Sequence, residues 1–205
     1  MDEGFDTHNP VPEKGMGEHY IDIPKVFRSS ETNKPFDTCM VCNKYLLDDG
    51  TQYMIEKSVR QHSAVGVSEI IFEYALCLPC AAKFHEAIST ETKNRITAYF
   101  SNPANITPRP GQLADHDEDI QPWINRCIVK GTLISESAEY QLIGQCRGGR
   151  LLLSEMPIAL SFEAMDEISS LMSAESLGEI DDFIGNYFTG PPEVAELLKR
   201  KLIFV

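Results

Sequence analysis

The chain has 205 residues and carries 18 Lys and Arg against 31 Asp and Glu, a net charge of −13, with 42% hydrophobic and 24% charged residues. That composition fits a folded chain with a real core and excludes wholesale disorder. No apolar run reaches the ~18 to 20 residues that span a bilayer. The charge opposes a nucleic-acid or anionic-membrane partner, because phosphate binding gains affinity from a basic face.

In chain order, residues 1–35 are rich in proline and glycine and read as a flexible arm. A short apolar stretch, Ile21, Ile23, Val26 and Phe27, is expected to dock against the body or a partner. The acidic, polar beginning lacks the basic and apolar stretches of a secretory signal, so the expected location is cytoplasmic.

Residues 36–101 hold the most informative feature, two CxxC pairs: Cys39 with Cys42, and Cys77 with Cys80. In a reducing compartment, two such pairs read as four thiolates around one tetrahedral zinc. The alternative is a thiol–disulfide couple. Asn43-Lys44 and Asp48-Asp49-Gly50 are turn signals after the first pair. Strand-like runs follow at 52–59 and 70–76, with a polar stretch between them that suggests an antiparallel hairpin. The second pair leads into Ala81, Phe84 and Ile88, apolar at helical spacing. Its cysteines are thus expected in a first helical turn, where free N–H groups favour thiolates.

Knuckle, hairpin and helix-borne CxxC resemble the treble-clef zinc finger over about residues 36–100. The resemblance implies one structural zinc held by Cys39, Cys42, Cys77 and Cys80. The 34 residues between Cys42 and Cys77 require a long hairpin or a bulging loop. Treble clefs serve many purposes, so the resemblance says little about activity.

Residues 102–122, with four prolines and the acids Asp115, Asp117, Glu118 and Asp119, read as a linker. Residues 123–205 read as a metal-free α+β domain with strand candidates at 126–134, 139–145 and 150–155, a turn at Gly148-Gly149, and helices after them. The two halves echo each other. Cys39 falls opposite Cys127 at an offset of 88, as Tyr99-Phe100 does opposite Tyr187-Phe188, whereas Ser89-Thr90-Glu91-Thr92 meets Ser173-Ala174-Glu175-Ser176 at 84. A degenerate repeat would place Lys130 opposite Cys42, and Ser161 and Ala164 (or Met165 and Ile168) opposite Cys77 and Cys80. Two unrelated units with common capping chemistry are the alternative. Cys127 and Cys146 read as small core residues.

The fold class expected is therefore α+β: a treble-clef-like zinc unit followed by a second hairpin-and-helix unit. No nucleophile elbow, metalloprotease, Walker or dinucleotide motif occurs in the sequence. The expectation is a zinc-stabilised, non-enzymatic interaction or scaffold protein with a protein partner. Self-association could run through the C-terminal stripe Val194, Leu197, Leu198 and Leu202. The competing readings are a nucleic-acid-binding finger, a redox protein, and an enzyme with a site between the units involving His62, His85 or His116.

Overall fold

The computed structural model describes residues 19–62, 66–109 and 119–188. Most of the N-terminal arm, the acidic stretch around His116 and the C-terminal stripe lie outside the described residues. Among those described there are six strands and five helices, and the strands form one antiparallel sheet. The strands are β1 (His19–Asp22), β2 (Gln52–His62), β3 (Val67–Cys77), β4 (Glu139–Arg147), β5 (Arg150–Leu153) and β6 (Ile158–Ser161). Their order is β1-β5-β4-β2-β3, with β6 also paired to β4.

The expected hairpin is β2–β3, running past both predicted strand ends. β2 pairs on its other side with β4, Gln52 facing Arg147 through to Arg60 facing Glu139. Strands from the 36–101 and 123–205 regions therefore share one sheet. The apolar part of the arm joins it too: β1 pairs with β5, and Ile21, Ile23 and Phe27 are buried. Within the predicted linker, Thr107 donates its backbone N–H to Ile128 O, and the Arg109 guanidinium reaches the carbonyls of Ser154 and Pro157.

Helices α1 (Leu78–Ala87), α2 (Thr90–Ser101), α3 (Gln121–Ile124), α4 (Phe162–Ser170) and α5 (Ala174–Tyr187) complete the described chain. Phe183 of α5 packs on Tyr74 of β3 and Phe84 of α1, so these helices cover the sheet face that carries Glu56 and Tyr74. The opposite face is closed by the segment around Phe27. A Cβ on Gly144 would stand 2.9 Å from the Phe27 ring, so glycine is what lets that ring approach.

Because β2 is covered on both faces, Glu56, Lys57 and Ser58 are buried beside Ile55 and Val59. The Glu56 carboxylate accepts hydrogen bonds from the Tyr74 hydroxyl and the Gln141 amide. Lys57 Nζ meets Glu73 at 2.8 Å and donates to Arg28 O. A strand buried on both sides loses the simple in–out alternation.

The 126–134 candidate is not a strand. It forms a tight turn closed by a single bridge between Arg126 and Leu133, with Gly131 in the left-handed region at φ 67°. The other two candidates are β4 and β5, joined at Gly148 (φ 53°), where a side chain would also press on the Asp48-Asp49 turn. β6 is an addition: its four residues begin directly after Pro157, too short a run to signal a strand.

Two parts of the sheet have matching register. In β2–β3, Tyr53 faces Cys77 and Ile55 faces Ala75; in β4–β6, Tyr140 faces Ser161 and Leu142 faces Ala159.

Candidate metal centre

The first CxxC sits on a knuckle built by local hydrogen bonds. Thr38 and Tyr45 form a bridge, the Cys39 N–H donates to Lys44 O, and the Asn43 N–H donates back to Cys39 O. Asn43 closes the turn at φ 58°, a conformation asparagine tolerates better than most residues. The knuckle is tied to the sheet where the Met40 N–H donates to Ala75 O at 3.0 Å.

The second pair stands at the start of α1. Cys77 ends β3 and is the N-cap; Pro79 follows in the first turn, where a missing N–H costs no helical hydrogen bond. This strand-to-helix junction brings Cys77 and Cys80 against the knuckle. The sulfurs of Cys39, Cys42, Cys77 and Cys80 all lie within 4.8 Å of one another. The Cys42 and Cys77 sulfurs are 3.6 Å apart, and the Cys77 N–H points at Cys39 Sγ at 3.4 Å. Four sulfurs around one tetrahedral ion at about 2.3 Å would stand roughly 3.8 Å apart, so the set fits a four-thiolate metal site.

Cys39 and Cys77 are buried, Cys80 is half-buried and Cys42 is exposed, so the centre has an inner and a solvent-facing side. Burial pushes the Cys39 thiol up. Backbone N–H groups of Cys42, Cys77 and Val41, and the Cys42 thiol, outweigh that and bring it down to about 7. Burial and the neighbouring sulfurs hold Cys80 well above the ordinary thiol value, and burial also raises Cys77. One thiolate is thus favoured by the protein alone. A cation bound among the four sulfurs would supply the positive charge that favours the thiolate at Cys77 and Cys80 as well. An ion held by all four sulfurs would have no open coordination position for a substrate.

The remaining cysteines lie elsewhere. Cys127 Sγ accepts the N–H groups of Lys130 and Ser161, while Cys146 is buried on β4 facing Tyr53, its thiol pushed up to about 12 by burial against an opposing hydrogen bond from Tyr53. Among the described residues, no histidine joins the cysteine cluster. His85 is exposed on α1, and His62 meets Glu69 at 3.4 Å at the exposed end of the β2–β3 hairpin. A cleft beside the Cys127 turn is lined by Thr107, Arg109, Trp123 and Arg126 among others, with no carboxylate among the described residues of its wall.

Sequence reasoning did not find the buried Glu56–Tyr74–Gln141 group or the Lys57–Glu73 pair. Their only signal was the polar triplet Glu56-Lys57-Ser58 inside an otherwise strand-like run. No helix of the described residues is long and apolar enough to cross a membrane. No family model, curated protein or solved structure matches the chain.

Proposed function

We propose that Cys39, Cys42, Cys77 and Cys80 hold one structural zinc in a treble-clef-like unit, and that the chain is a non-enzymatic interaction or scaffold protein. The observation that carries this reading is the closed four-sulfur cluster at the junction of a knuckle and a helix start. Zinc suits four thiolates in tetrahedral array, and the absence of a vacant ligand position argues for a tie rather than a reactant. The acidic balance of the chain favours a protein partner over nucleic acid.

Elemental mass spectrometry on protein purified without added metal tests the metal. About one zinc per chain, with loss of near-UV and far-UV dichroism on chelation, is the expected result. No bound metal, with all four thiols titratable in the folded protein, would replace this reading with disulfide exchange. Retention of DNA or RNA oligonucleotides at physiological salt, or turnover of a substrate, would overturn the interaction role.

A further inference from the structure

We infer that the second half of the chain is a second copy of the metal-binding unit that has replaced its metal by packing and an ion pair, and that its turn and helix start remain a latent metal site. The inference rests on reading the first four cysteines as a metal centre.

The turns correspond hydrogen bond for hydrogen bond at an offset of 88. Bridge Thr38–Tyr45 becomes Arg126–Leu133, and the left-handed Asn43 becomes Gly131. Cys39 N–H to Lys44 O becomes Cys127 N–H to Thr132 O, and Asn43 N–H to Cys39 O becomes Gly131 N–H to Cys127 O. The anchor from Met40 N–H to Ala75 O at 3.0 Å becomes Ile128 N–H to Ala159 O at 2.9 Å. Tyr53 facing Cys77 becomes Tyr140 facing Ser161, offsets of 87 and 84. Helix starts at Cys77 and Ser89 become helix starts at Ser161 and Ser173, both at 84. The second copy is thus four residues shorter between turn and helix.

Reciprocal contacts relate the halves by an approximate two-fold axis. The Ser89 N–H donates to Ser176 Oγ at 3.0 Å, and the Ser173 N–H donates to Thr92 Oγ1 at 2.9 Å. Gly148 N–H donates to Thr51 O, and Gln61 N–H to Ala138 O, the same bond displaced by 87 residues. Common capping chemistry explains two serine caps, but not equal strand registers, equal turns and exchanged partners.

This superposition puts Cys127, Lys130, Ser161 and Ala164 where Cys39, Cys42, Cys77 and Cys80 stand. The Ser161 N–H points at Cys127 Sγ at 3.3 Å, as the Cys77 N–H points at Cys39 Sγ at 3.4 Å. Where the metal would join turn to helix, Lys130 Nζ pairs with Glu167 of α4. Ala164, Met165 and Ile168 are fully buried beneath it.

The test restores the ligands with Lys130→Cys, Ser161→Cys and Ala164→Cys in the full chain, produced in cobalt-supplemented medium beside the unaltered protein. Native mass spectrometry should show one more ion per chain in the variant, with added thiolate-to-cobalt absorbance. The readout is the gain over the unaltered protein, so the two failures are read separately. No metal in the unaltered protein would sink the first-site reading and this inference with it, whereas metal there and no gain in the variant would sink this inference alone. A folded variant with no gain would overturn the inference. If the triple variant does not fold, Ser161→Cys with Ala164→Cys leaves three thiolates and should capture one extra cadmium ion. Loss of the fold in both, or no cadmium gain, would also overturn it.

Discussion

Cys39 gathers more of the centre's chemistry than its partners. It is buried, receives the Cys77 N–H, and has its thiol brought toward the thiolate by surrounding backbone donors. Structural zinc contributes on the order of 10 kcal/mol in small domains, comparable with the whole stability of a typical fold. Cys39→Ser should therefore abolish metal binding and unfold the protein, measured as metal per chain and far-UV dichroism. Persistence of both would contradict a structural role. Glu73 acts through charge at the same scale. Burial raises its carboxyl, but hydrogen bonds from Lys57 and Ser30 win and hold it below the ordinary carboxylate value. A carboxyl lowered by folding stabilises the fold above its unfolded pKa, near 4.3, and loses that contribution as pH falls through the folded value. Glu73→Gln should cost on the order of 3 kcal/mol at pH 7, because Lys57 is left buried without its counter-charge. The deficit should shrink toward pH 3. Urea unfolding at both pH values checks this, and an equal loss at each would refute the charge argument.

Among the elements, the helix starts join the two halves on the helical side of the sheet alongside the packing of Phe183 on Tyr74 and Phe84. Ser89 Oγ accepts the Thr92 N–H and Ser173 Oγ accepts the Ser176 N–H, both at 3.2 Å, and the two hydroxyls meet at 2.8 Å. Removing a serine cap costs about 1 kcal/mol. Ser89→Ala and Ser173→Ala should each cost at least that much. Together they should cost less than their sum by about 0.5 kcal/mol or more, since they share a hydrogen bond. Strict additivity in a double-mutant cycle would mean the caps act independently. The Lys130–Glu167 pair is more exposed, and such pairs contribute about 0 to 1 kcal/mol. The second turn accordingly depends on the core beneath it.

For the whole molecule, the decisive contact is β2 against β4, since it leaves no seam in the sheet between the cysteine centre and the second half. Metal removal should then be felt on both sides of that pairing. Hydrogen exchange after chelation is expected to show β4 amides losing protection together with those of β2, in one cooperative transition. Protection kept in β4 while lost in β2 would show two units that unfold separately.

Much of the candidate site was legible in the sequence because its determinants are local. CxxC spacing, the Asn43 turn, the strand running into Cys77 and the serine caps each act over a few residues. The same local reasoning mistook 126–134 for a strand, since the Cys127 turn directs its hydrogen bonds inward around Gly131. By itself the sequence determined the two CxxC pairs that the fold gathers, the two main hairpins and the helix starts. Only the tertiary structure decided that β2 lies beside β4, that β1 adds to β5, that Ser89 meets Ser173, and that Glu56 and Lys57 are buried. Each of those depends on residues far apart in the chain, joined by packing over both faces of one sheet, and no short-range pattern encodes which distant strand becomes a neighbour.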